Sequence, residues 1–283
     1  MGVRVPRWLL LIKLFYKMIP IEIQYLNLAK QLLLFTKARP NRTGINTFST
    51  FGVKLEHNMA KGFPLLTTKK VFFKGCVHEL LWFLKGSTNI KYLVDNGIHI
   101  WDAWADKNGE LGPIYGKQWI DCGPTHINQV EECIKAIKED PYSRRIIINA
   151  YHVPDIKDMA LPPCHVLYQF YCEPSTKRLS LQVYMRSADV FLGLPFDIAE
   201  GGLLLSLAAE VTGYKPDKLI YVLGDTHIYE NHREQMLEQA SRKPYELPKL
   251  ELAHKTNIFD FTFEDIKLVN YKAHSALKGK VAV

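Results

Sequence analysis

The sequence predicts a fold that mixes α-helices with β-strands, and two kinds of pattern carry that expectation. Several stretches repeat apolar residues at helical spacing, and several others alternate apolar with polar residues or form short apolar runs bounded by turn signals. A third observation sets the scale. The chain has 283 residues, 47% hydrophobic and 23% charged, enough for a full core, and no repeat, low-complexity run or linker divides it.

The elements follow in order. Residues 1–17 hold a short apolar stretch with basic flanks, too short and too charged to span a bilayer and followed by no small-residue cleavage site. They are expected to form an extension outside a single domain over residues 18–283, with weak anchoring at a membrane surface as the other reading. From Ile21 to Phe35 the apolar residues mark a helix that stops before Ala38-Arg39-Pro40. Asn41-Arg42-Thr43-Gly44 reads as a turn, and alternation through Val53 reads as a strand. Residues 77–84 form a mostly buried helix. Within it, Glu79 needs a partner or a task, because an unpaired buried carboxylate costs several kcal/mol or takes up a proton.

Ile100-Trp101-Asp102-Ala103-Trp104 sets two indoles three residues apart, either as core or as a wall for a flat ring. A glycine-punctuated segment carries Tyr115, and residues 127–139 make an amphipathic helix. Arg144-Arg145 then stands at the mouth of a buried strand, suited to bidentate phosphate binding or to solvation. Strands follow near Cys164 and over residues 179–185. A helix is expected over residues 198–212 and a strand over 219–223.

Charge and cysteine usage exclude several classes. The net charge of +7 suits anionic ligands but is not gathered into a basic run that would track a nucleic-acid backbone. Small phosphorylated substrates fit better, and no stable nucleic-acid or transmembrane partner is expected. Five cysteines, odd in number and without a CxxC pair, suggest neither a disulfide framework nor a zinc site. A reducing, cytoplasmic setting is the expectation. His227 and His232 are five apart with no third ligand at helical spacing, so no metal is expected.

Cys164 is the candidate nucleophile. It lies in Leu161-Pro162-Pro163-Cys164-His165, between prolines and a histidine and ahead of a buried strand, an unusual place for an ordinary core cysteine.

Together, residues 62–70, 78–84, 100–104 and 115–119, Ser143-Arg144-Arg145, Pro163-Cys164-His165, Arg186-Ser187-Ala188-Asp189, residues 193–196, His227 to Tyr229 and the tail Lys280-Val281-Ala282-Val283 resemble the thymidylate synthase and deoxycytidylate hydroxymethylase family. The resemblance covers residues 21–283. It implies an α+β fold in which a large twisted mixed β-sheet, flanked by helices, packs back to back with a second copy in a homodimer.

The same resemblance implies one-carbon transfer from 5,10-methylenetetrahydrofolate to carbon 5 of a pyrimidine nucleoside monophosphate. Cys164 would attack carbon 6, with Glu79 and Tyr115 managing protons. Arg42, Arg186 and Ser187 would hold the phosphate, joined by Arg144 and Arg145 from the other subunit. His227 and Tyr229 would hold the sugar hydroxyl. The folate would lie near Ile100, Trp101 and Trp104, contact Asp189, Leu192, Gly193 and Phe196, and be covered by the tail at Ala282. A ring of arginines would also lower the thiol pKa.

One departure from the family pattern stands out. Asp197 occupies the position where ordinary thymidylate synthases have asparagine. A carboxylate accepts well from the 4-amino group of cytosine, and a proton shared with ring N3 satisfies the second contact. Uracil would set its 4-oxygen against that carboxylate, acceptor to acceptor. Capping of a helix starting at Ile198 is the structural alternative, but asparagine would cap equally well. The expectation is therefore dCMP, yielding 5-hydroxymethyl-dCMP or 5-methyl-dCMP. An ordinary thymidylate synthase converting dUMP to dTMP is the alternative, and a non-catalytic nucleotide- or RNA-binding homologue a more distant one. Met185 and Glu200-Gly201-Gly202 also depart from the family pattern.

Overall fold

The computed structural model describes residues 19–282; the extension expected over residues 1–17 and the final Val283 lie outside them. The first helix, α1, spans Ile21–Phe35 as its periodicity predicts and buries Tyr25, Ala29 and Leu32. Its buried Glu22 accepts hydrogen bonds from the backbone N–H of Thr67 and Thr68 at 2.7 and 2.6 Å and from the Thr67 hydroxyl at 2.8 Å. That carboxylate therefore pins the loop ahead of the second helix.

Strands β1 (Ala38–Arg39) and β2 (Thr47–Asn58) form a hairpin whose turn carries Arg42. Helix α2 spans Phe73–Leu84, four residues longer at its start than the apolar run suggests. Short helices α3 (Lys91–Asp95) and α4 (Tyr115–Ile120) lead to α5 (Gln129–Glu139). Helix α5 begins two residues after the predicted start because the Asn128 side chain caps it, accepting from Glu131 N–H at 3.0 Å.

Strands β3 (Ile147–Asn149), β4 (His165–Glu173) and β5 (Arg178–Asp189) follow, then helix α6 (Gly193–Thr212) and strand β6 (Lys215–Tyr229). Six strands form one sheet in the order β1-β2-β6-β5-β4-β3, with every pairing antiparallel except β5 with β6. That parallel pair requires a crossover, which α6 supplies. Helix α6 is apolar on nearly every side and packs on β5 and β6, while α1 packs on β2. The chain closes with α7 (Arg233–Ser241) and a two-stranded ribbon of β7 (Lys249–Leu252) and β8 (Ile266–Val269). The fold is thus α+β, a mixed sheet flanked by helices.

Two boundaries differ from expectation in ways that matter for the site. Helix α6 starts at Gly193, because Pro195 is tolerated within a first turn, where an N–H has no partner to lose. Asp197 consequently lies inside the helix and does not cap it. Strand β6 runs on to Tyr229, past the residue at which Gly224 suggests a stop. A Cβ at Gly224 would stand 2.8 Å from the Arg186 carbonyl oxygen, so this glycine allows close approach of β5 and marks no turn. His227 and Tyr229 are therefore strand residues in register with β2 and β5.

Candidate active site

The Cys164 loop is built by contacts from two distant segments. The Tyr115 hydroxyl, at the start of α4, accepts from the backbone N–H of Cys164 at 2.7 Å and of His165 at 3.3 Å. Arg186, on β5, donates from Nε to Pro163 O at 2.9 Å and from Nη2 to Pro162 O at 2.7 Å. Its own N–H reaches Cys164 O at 3.0 Å. Two prolines supply no N–H but leave their carbonyls free, and the guanidinium fork uses both.

Cys164 opens onto a cavity of about 1030 Å³, at the upper end of the range for small-molecule clefts of roughly 300–1,000 Å³. Around it the cavity collects every predicted site residue except Arg144 and Arg145. Arg42, Arg186 and Ser187 face it from the β1–β2 turn and β5, and His227 and Tyr229 from the end of β6. Ile100, Trp101 and Trp104 form one wall, with the two indoles edge to face at 5.7 Å between centroids. Leu192, Gly193 and Phe196 come from the start of α6. Asp189 faces the same space, and its Oδ1 accepts from the N–H groups of Phe191 and Leu192 at 2.9 and 3.2 Å.

The tail completes the enclosure at Val281 and Ala282. It is held by His232, whose Nε2 lies 2.8 Å from Lys280 O, and by Gly279, where a Cβ would meet His232 and Phe191 at 2.8 Å. His227 Nδ1 pairs with Asp225 Oδ1 at 2.9 Å. The two histidines thus serve separate contacts, and no group of three or more metal-ligating side chains occurs among the described residues.

The electrostatics of the cavity depart from the expectation at the thiol. Burial pushes the Cys164 thiol up to about 11, with Arg186 and Arg42 opposing that rise and Asp197 and Asp189 adding to it. Desolvation outweighs the arginines because Arg42 is exposed at the mouth and Arg186 is spent on the proline carbonyls. Burial also raises Glu79 to about 7, against the lowering effect of the Trp101 indole, which donates to Glu79 Oε1 at 2.6 Å.

Two side chains were not among the predicted site residues. His165 Nε2 lies 2.8 Å from Asp197 Oδ1, an ion-pair distance without the direction of a hydrogen bond. Glu200 lines the cavity at its buried end. Adjacency to Cys164 signals the first, and the i, i+3 spacing from Asp197 signals the second once the helix is known to include both. Arg144 and Arg145 lie exposed before β3, outside this chain's cavity.

Residues 23–283 match the family model described as Thymidylate synthase. Among curated proteins, the chain is similar to a thymidylate synthase from Mycoplasma mobile, with 47% identity over 290 aligned residues covering 92% of this chain and 99% of that protein.

Proposed function

The chain belongs to the thymidylate synthase family, whose members use 5,10-methylenetetrahydrofolate, and we propose that it transfers a one-carbon unit to carbon 5 of dCMP. The folate supplies that unit when bound. The indole wall of Trp101 and Trp104 suits its flat ring, and Ile100, Asp189, Leu192, Gly193, Phe196 and Ala282 border the same space.

The chain's own groups do the rest. Cys164 Sγ adds at carbon 6 of the base, which turns carbon 5 from a poor nucleophile into a competent one. A nucleotide phosphate drawn to Arg42, Arg186 and Ser187 places the ring over the thiol. His227 and Tyr229 take the sugar hydroxyl, and Glu79 and Tyr115 handle protons beside the ring. Arg144 and Arg145, exposed and outside their own cavity, complete the phosphate site of a second copy in a homodimer. Tyr171, 67% exposed on the face of the sheet opposite to the buried Phe170 and Leu181, supports a face that packs against that copy.

The observation that carries the choice of base is Asp197. Its carboxylate enters the cavity from the second turn of α6, with Oδ1 toward His165. Gly193, one turn earlier, presents no side chain to Oδ2, and a Cβ there would stand 3.5 Å from that oxygen, in ordinary van der Waals contact. Since Asp197 does not cap the helix, the carboxylate is free to accept from a 4-amino group. The name of the Mycoplasma mobile relative supports a second reading, methylation of dUMP to dTMP. A methyl product agrees with that name, and hydroxymethyl-dCMP is the other product the cavity could yield.

The test incubates the purified protein with methylenetetrahydrofolate and equal dCMP and dUMP, then weighs the nucleotide products. Modified dCMP supports the Asp197 reading, whereas dTMP alone identifies a thymidylate synthase. A methyl gain with dihydrofolate separates methylation from a hydroxymethyl gain with tetrahydrofolate.

A further inference from the structure

Glu200 is the cavity carboxylate whose needs the protein leaves unmet. It sits on α6 three residues beyond Asp197, hence on the same face one turn along, and is only 5% exposed. It lines the cavity, and among the described residues its Oε1 has no hydrogen-bond partner. The neighbouring carboxylates each have a contact of opposite polarity: Glu79 accepts from the Trp101 indole at 2.6 Å, and His165 Nε2 lies 2.8 Å from Asp197 Oδ1.

The groups that face Glu200 are Glu79 and Cys76 from α2, Tyr168 from β4, Tyr221 from β6 and Asp197 from α6. None is a cation, and the Tyr221 hydroxyl is committed to the Asp197 carbonyl oxygen. An ionised carboxylate in these surroundings would be both desolvated and repelled by two others. Glu200 therefore keeps its proton, and burial followed by the charges of Glu79 and Asp197 pushes its pKa well up.

We propose that Glu200 is the proton reservoir of the base-reading wall, supplying through Asp197 the proton that cytosine N3 requires when Cys164 adds at carbon 6. The inference rests on the dCMP reading above. As the S–C6 bond forms, the C5=C6 pair moves into C4=C5 and the C4=N3 pair moves onto N3. Glu200 gives its proton to the Asp197 carboxylate, which passes one to N3, so the net change is Glu200 O–H broken and N3–H formed, with the charge of the attacking thiolate ending on Glu200. Expulsion of the thiolate reverses the transfer. Uracil makes no such demand, because its N3 is already protonated and the displaced pair ends on the 4-oxygen. Glu200 acts through Asp197 and is thus a positioning residue, with Asp197 in contact with the ring.

The experiment compares pH profiles of kcat for dCMP in the parent protein, Glu200→Gln and Glu200→Asp, with dCMP binding measured by calorimetry. Gln matches the volume of Glu but has no proton to release. Its kcat is expected to fall about 10²-fold with KM within a few-fold, and the alkaline limb of the parent's kcat profile should vanish. Glu200→Asp should regain part of the rate, with the limb shifted. A Gln variant that keeps the parent's rate and limb overturns the proposal. If the Gln variant does not bind dCMP, the Asp variant decides: a shifted limb supports the proposal and an unshifted one overturns it. A parent protein that leaves dCMP untouched overturns the cytosine reading first and this inference with it, an outcome visible before any variant is made.

Discussion

The hydroxyl of Tyr115 accepts the backbone N–H of Cys164 at 2.7 Å, joining the first residue of α4 to the residue that precedes β4. The Cys164 thiol is therefore placed by a phenol that joins residues 49 apart in the chain. Tyr115→Phe takes away the partner of that part-buried N–H. A loss of about 1–3 kcal/mol in unfolding free energy is expected, together with a fall in kcat as the thiol loses its fixed position. Urea unfolding and steady-state kinetics check both.

Cys164→Ser should abolish turnover while retaining nucleotide affinity, because Arg42, Arg186, Ser187, His227 and Tyr229 are untouched. Calorimetric titration with dCMP and dUMP is the appropriate measurement. A serine variant with substantial activity would contradict the nucleophile assignment.

Glu79 links stability to pH with a definite sign. Its folded pKa is raised from 4.5 to about 7, so between those values the folded state holds a proton that the unfolded chain has released. The contribution of Glu79 to stability falls as pH rises through that window, while His57 and His78, whose pKa values burial lowers from 6.5, act with the opposite sign within it. Asp121, Asp225 and Asp265 have lowered pKa values, and their opposite contribution is confined to pH below about 4. Glu79→Gln should therefore flatten the decline between pH 4.5 and 7 without abolishing it, since Glu200 acts with the same sign. Unfolding midpoints measured across that window report the slope.

Trp101→Phe removes the indole donor that, with the charge of His165, holds the Glu79 carboxyl down. The Glu79 pKa should rise further, and with the proton role proposed for Glu79 the pH dependence of kcat should move toward the alkaline side. A profile that keeps its midpoint would show that another group governs it.

Arg144 and Arg145 provide a test of shared sites. Mixed and refolded together, inactive Cys164→Ser and inactive Arg144→Ala/Arg145→Ala proteins should recover about a quarter of parental activity, since each mixed dimer regains one complete site. No recovery would mean that these arginines serve their own chain.

Much of the site was legible before any coordinates because its chemistry is local. Cys164 between prolines and histidine, Arg186-Ser187 at the end of an apolar run and paired indoles at Trp101 and Trp104 all lie in short windows, and all line one cavity. Element boundaries were less legible where one residue obeyed two rules. Pro195 reads as a breaker yet sits inside the first turn of α6, and Gly224 reads as a turn yet lies within a strand.

By itself the sequence determined which chemical groups exist and their order: the thiol, the arginines, and a carboxylate at Asp197 where an amide is the family pattern. Periodicity also determined that helices and strands alternate, since a side chain's direction follows from its place in the repeat. Only the tertiary structure decided the protonation of those groups. The thiol's rise to about 11, Glu79 poised near 7 and Glu200 without a partner each depend on burial and on charges from α2, β4, β5 and α6. Desolvation and Coulomb energy sum over everything within a few ångströms in space, and those neighbours are scattered along the chain.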